Sequence, residues 1–120
     1  MSTATILIVE DDAGLREALF DTLLLGGYDV VEADSAESAL MTLSSRQVDL
    51  VVSDIQMGEM SGLTLLKNIK AKHPNMPVLL MTAYATINDA VQAMRDGATD
   101  YLSKPFAPEV LLNLVGRYAP

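Results

Sequence analysis

Asp54 closes the apolar run Val48-Asp49-Leu50-Val51-Val52-Ser53-Asp54, which reads as a buried strand delivering a carboxylate at its carboxyl end. Three further runs finish on polar residues in the same way. Glu10-Asp11-Asp12 follows Thr5-Ile6-Leu7-Ile8-Val9, Thr82 follows Val78-Leu79-Leu80-Met81, and Lys104 follows Asp100-Tyr101-Leu102-Ser103. In an open parallel α/β sheet the carboxyl ends of the strands meet in one crevice, so groups remote in sequence become neighbours. Acids, a hydroxyl and a lysine around a nucleophilic aspartate are equipped for phosphoryl transfer.

Carboxylates a few ångströms apart repel by about 4 kcal/mol per pair at an effective dielectric near 20, so such a cluster calls for a counter-charge. Mg2+ suits it, because the ion prefers hard oxygens, accepts a few carboxylates plus waters, and leaves positions open for phosphate. Lys104 then offers a point charge, Thr82 a hydroxyl, and nearby backbone N–H groups further donors for phosphoryl oxygens. Each residue alone has an ordinary explanation. An acidic triplet favours a helix N-terminus, Asp54 could cap a turn, a strand-end threonine makes local bonds, and a lysine before proline is surface charge. The four together require those explanations to coincide at successive strand ends.

The elements that position these groups alternate along the whole chain, without an internal linker, which predicts βαβ units and a parallel sheet. The expected strands are Thr5 to Val9, Tyr28 to Ala33, Val48 to Ser53, Val78 to Met81 and Tyr101 to Ser103. The first helix runs from Ala13 to Leu25 and stops at Gly26-Gly27. Asp34 with Glu37 reads as a capping pair for a second helix reaching Leu43. A third, Gly62 to Lys72, ends before His73-Pro74. Thr86 with Asp89 caps a fourth that Gly97 terminates, and Pro108 suits the first turn of a last helix, Glu109 to Arg117. Right-handed crossovers with helices on both faces give a doubly wound, five-stranded sheet of order 2-1-3-4-5. Strands one and three then flank the switch point, which sets Glu10-Asp11-Asp12 beside Asp54.

Composition limits the alternatives. The chain has 120 residues, half of them hydrophobic, enough for one domain with a core that needs no staples. It contains no cysteine, which removes disulfides and thiolate metal sites and fits a reducing cytoplasm. Net charge is −8 and the eight basic residues form no cluster, so direct nucleic-acid binding is not expected. Met1-Ser2-Thr3-Ala4 leads straight into a strand, so no leader is expected, and every apolar run is far shorter than the about 20 residues of a membrane span.

With Val9-Glu10-Asp11-Asp12, Ser53-Asp54-Ile55-Gln56-Met57, Met81-Thr82-Ala83 and Tyr101-Leu102-Ser103-Lys104-Pro105-Phe106 in place, the chain resembles a receiver domain of a bacterial two-component response regulator over essentially its whole length. The resemblance implies one flavodoxin-like receiver domain over residues 1–120. It makes Asp54 the phosphoacceptor, Glu10 and Asp11 the Mg2+ acids, and the Gln56 carbonyl a further metal ligand. Asp12 falls in the supporting layer. Thr82, Ala83 and Lys104 contact the phosphoryl group, Thr82 and Tyr101 form the switch pair, and Lys104-Pro105 is the cis peptide that aims the lysine. Tyr84 and Gln56 gate water access to the acyl phosphate.

Ser53-Asp54-Ile55-Gln56-Met57, Gly62-Leu63 to Lys70, and Gly97-Ala98-Thr99-Asp100-Tyr101 resemble the nitrogen-regulatory, sigma-54-activator class. That implies a sensor histidine kinase as donor and a surface of helix four, strand five and helix five that switches. It also implies an ATPase with a DNA-binding domain as output and self-pairing on phosphorylation; the end at Pro120, just after the last helix, reads as an isolated receiver or one excised from a longer protein. Gly58 departs from the family, which usually has proline there; glycine frees φ and loosens that loop.

Two rivals share parts of this pattern. A flavodoxin-like FMN carrier needs a Ser/Thr/Gly-rich phosphate loop after strand one, where this chain has three acids. A Mg2+-dependent phosphohydrolase with an aspartyl nucleophile wants an acid two residues after it, where this chain has Gln56. His73 reads as helix-dipole compensation, and the methionines as core filler.

Overall fold

In a computed structural model, which describes residues 3–83 and 87–120, the alternating runs become β1 (Thr5–Val9), α1 (Ala13–Leu25), β2 (Asp29–Ala33), α2 (Ala36–Ser45), β3 (Leu50–Asp54), α3 (Gly62–Lys72), β4 (Val78–Thr82), α4 (Ile87–Arg95), β5 (Asp100–Ser103) and α5 (Pro108–Tyr118). The strands form one parallel sheet of order β2-β1-β3-β4-β5, as expected. Its register sets Val9 beside Ser53, Asp54 beside Met81, and Thr82 beside Ser103.

Strand alternation divides the core into two layers. Leu7, Val9, Val51 and Leu80 face α2, α3 and α4, where they meet Ala39, Leu65, Leu66, Ile69 and Ala93. Ile6, Ile8, Leu50, Val52 and Leu79 face the other way, against Leu19 and Leu23 of α1 and Leu111 and Val115 of α5. Each fully buried leucine or isoleucine contributes about 1.5–3 kcal/mol. Continuing the alternation places Glu10 and Asp54 at the end of the α1/α5 rows, and Thr82 at the end of the row that faces α4.

Helix ends follow local chemistry. Gly27 and Gly97 take positive φ, 94° and 104°. Each closes its helix with paired amides: Gly27 to Leu24 and Tyr28 to Leu23 after α1, Gly97 to Met94 and Ala98 to Ala93 after α4. The cap of α2 is Ser35, not Asp34: the Ser35 hydroxyl accepts the Ser38 amide at 3.0 Å. Its neighbour Ala36 is fully buried, so packing starts the helix one residue later than the Asp34/Glu37 spacing suggests. At its other end α2 runs on to Ser45, because Ser44 and Ser45 hydroxyls bond back to the Met41 carbonyl. The expected Thr86 cap of α4 lies outside the described residues.

Candidate functional site

Asp54 is the last residue of β3 and is only 4% exposed; Glu10, one residue past β1, is 1% exposed. Among the described residues the buried polar or charged set is Glu10, Ser53, Asp54 and Thr82, all at the carboxyl edge of the sheet. Buried acids are costly unless paired. Their partner is Lys104, whose Nζ stands 2.7 Å from Glu10 Oε1 and 3.3 Å from Asp54 Oδ1. A cis Lys104–Pro105 bond follows, and the Lys104 amide donates to the Thr82 carbonyl at 2.7 Å.

Burial lifts the Glu10 carboxyl above its usual 4.5 and Asp54 pushes it further, against the hydrogen bonds from Lys104 and the Asp12 amide. Burial disfavours the Lys104 ammonium, but the Glu10 hydrogen bond and the Asp54 and Glu10 charges outweigh it, so its pKa rises from 10.5. Asp11 is exposed and completes a cluster: one oxygen from each of Glu10, Asp11 and Asp54 lies within 4.8 Å of the others. Three carboxylates against one ammonium leave a negative site built from hard oxygens. That donor set fits Mg2+.

Asp12 has a different job. Its Oδ1 accepts the Leu15 amide at 3.0 Å as the cap of α1, and its own amide donates to Glu10 Oε2 at 3.1 Å. It thus orients Glu10 and starts the helix.

Thr82 is fully buried, and its hydroxyl donates to Gln56 Oε1 at 2.8 Å. Tyr101 lies beside Leu80 in the register and packs on the layer containing Ala93 of α4. Burial raises its phenol above the usual 10.0, the Asp89 carboxylate of α4 adds to this, and the Thr82 side chain opposes it. The tyrosine is therefore in electrical contact with both the crevice and α4. Ala83 is exposed at the mouth, and Tyr84 lies outside the described residues.

Two contributors carry little signal in the sequence. Arg16 reaches back from α1 to hold the Glu10 carbonyl at 2.8 Å, with its Nε 3.8 Å from Glu32; only its place one turn after Asp12 hints at this. Gly62 opens α3 hard against β3, where a Cβ would fall on the Asp54 carbonyl oxygen and lie 2.8 Å from Ile55 Cα. Glycine at a first helical position that Ser61 already caps is the clue.

The profile of the response regulator receiver domain matches residues 6–116. The chain is 55% identical over 116 residues to the response regulator protein FleR of Pseudomonas aeruginosa, covering 97% of this chain and 24% of that protein. It is 42% identical over 118 residues to the C4-dicarboxylate transport transcriptional regulatory protein DctD of Rhizobium meliloti, covering 98% and 26%. It therefore spans about a quarter of the length of these curated relatives. A CheY-like receiver domain from Methanospirillum hungatei superposes with a TM-score of 0.93 at 30% identity, covering 97% of this chain and 93% of that one.

Proposed function

Because the chain belongs to the response regulator receiver domain family, we propose that it is a phosphorylation-controlled switch that takes a phosphoryl group from a sensor histidine kinase onto Asp54. The observation that carries this reading is a pair of buried carboxylates, Glu10 and Asp54, held under one lysine and beside Asp11. An Asp54 oxygen attacks phosphorus, the bond from phosphorus to the kinase histidine breaks, and its electron pair stays on the imidazole. Glu10, Asp11, Asp54 and the Gln56 carbonyl would hold Mg2+, which when bound supplies charge neutralisation for the phosphoryl oxygens. Lys104 exchanges part of its Glu10 contact for a phosphoryl oxygen, Thr82 donates its hydroxyl to another, and the Ala83 amide to a third.

The domain is a signalling switch rather than a classical enzyme, catalysing only its own phosphorylation and slow dephosphorylation. Thr82 drawn toward phosphate leaves room that Tyr101 fills, which shifts the equilibrium of the α4, β5 and α5 surface. Val91 and Met94 of α4 and Val110 of α5 are exposed there, as a contact surface requires. In a parent of the sigma-54-activator kind this surface controls an ATPase and a DNA-binding domain and supports pairing of two phosphorylated copies, in the cytoplasm. Among the described residues no helix is long and apolar enough to cross a membrane.

The test is labelling by acetyl phosphate and Mg2+ with mass-spectrometric site mapping. The parent should be labelled on Asp54 and Asp54→Asn should not, while keeping its fold. Stable label on Asp11 or Asp12 in that variant would overturn the assignment.

A further inference from the structure

Thr82 has one hydroxyl proton, and in this structure it is given to Gln56 Oε1 at 2.8 Å. A threonine hydroxyl donates once, so the proton cannot also reach a phosphoryl oxygen on Asp54. We propose that Gln56 is a latch on the switch: its side-chain amide holds Thr82 in the resting orientation, and phosphorylation must break that bond before the signal can leave the crevice.

Geometry favours a side-chain latch over a backbone one. The Thr82 carbonyl is tied to the Lys104 amide at 2.7 Å and the residue closes β4, so its main chain is anchored. What remains is rotation about the Thr82 side chain. Thr82 itself is fully buried, whereas Gln56 is exposed. The amide loses little on release because water replaces the threonine, and a phosphoryl group on Asp54 offers the buried hydroxyl a charged acceptor in place of a neutral one. Gln56 thereby sets how far the unphosphorylated equilibrium leans toward rest, and acts as a positioning residue through Thr82. This role is separate from its backbone carbonyl as a metal ligand, since a side-chain substitution leaves the carbonyl in place.

The inference rests on the proposed function, and the experiment separates the two. Beryllofluoride with saturating Mg2+ stands in for the phosphoryl group, and its affinity is measured for the parent, Gln56→Met, Thr82→Ala and the double variant. Methionine keeps the length of glutamine and removes the acceptor. Gln56→Met should bind beryllofluoride about two- to tenfold more tightly than the parent, the range a lost resting hydrogen bond predicts. The same substitution in the Thr82→Ala background should change nothing, because the latch has no bolt to hold.

Equal affinity of Gln56→Met and parent, or an equal shift in both backgrounds, would overturn the latch. So would a change in Mg2+ affinity alone large enough to account for the gain. A residue that merely screens water would change the decay rate of the acyl phosphate in both backgrounds and leave beryllofluoride affinity untouched, which also defeats the proposal. If beryllofluoride binds Asp54→Asn as well as the parent, the phosphoacceptor reading fails instead.

Discussion

At the amino edge of the sheet, polar side chains mend the backbone. Asp49 accepts the Thr5 amide at 2.8 Å, Thr99 accepts the Val78 amide at 3.1 Å, and Lys70 caps the Met76 carbonyl at 2.6 Å. Asp100 ties the Tyr101 amide and the Tyr118 hydroxyl. At the carboxyl edge, polar side chains face one another instead: Lys104 toward Glu10 and Asp54, and Thr82 toward Gln56. The first edge spends its polarity on satisfying strands that would otherwise start with orphan groups. The second confines like charges where burial makes them costly, an arrangement that is a weak source of stability and that a neutralising ligand would relieve.

Substitutions at the two edges should therefore separate stability from phosphoryl uptake. The largest effect is expected at Gly62, which joins the edges of two elements. Gly62→Ala must displace α3 from the end of β3, at a cost of about 1–3 kcal/mol in urea unfolding, together with slower labelling of Asp54. Parent-like values for both would show that the approach of α3 to Asp54 is soft.

At the amino edge, Asp49→Ala leaves the Thr5 amide unsatisfied and should lose about 1–2 kcal/mol while labelling with acetyl phosphate stays at the parent rate. A loss of labelling with no loss of stability would erase the contrast between the edges. Asp11→Asn is the mirror experiment. Without metal it should be as stable as the parent or more so, since it relieves repulsion, and it should lose Mg2+-dependent labelling. Asp12→Asn should be milder in labelling, because Asp12 caps α1 rather than joining the cluster.

The smallest effect concerns Tyr101. Its folded phenol pKa is raised above 10.0, so the unfolded chain releases that proton first. The resulting contribution to stability is complete below pH 10.0 and fades as pH climbs through the folded value. Tyr101→Phe should remove that part of the alkaline decline, visible as a shallower fall of unfolding free energy relative to the parent. Identical slopes would mean that the folded surroundings do not raise this phenol in solution.

Sequence alone determined a great deal, because the relevant signals are local. Alternating apolar runs such as Thr5–Val9 and Leu50–Asp54 carry strand period and two-faced burial within themselves, and the crossover rule then orders the strands. The polar residue that ends each run comes with it, so Glu10, Asp54, Thr82 and Lys104 are identifiable before any coordinates. Helix boundaries were legible where glycine must take positive φ, at Gly27 and Gly97, and misplaced at Ser35, where burial of Ala36 outweighed the Asp34/Glu37 pattern.

What only the tertiary structure decided is who partners whom. Lys104 lies 94 positions from Glu10 and Thr82 lies 26 from Gln56, and nothing in spacing says that the ammonium favours Glu10 over Asp54 by 0.6 Å or that the Thr82 proton rests on an amide. The same holds for Arg16 on the Glu10 carbonyl and for the fit of Gly62 against Asp54. Hydrogen bonds and ion pairs depend on distance and angle to within tenths of an ångström, and that precision arises from the packing of whole elements, whereas a sequence period records only which face of an element is buried.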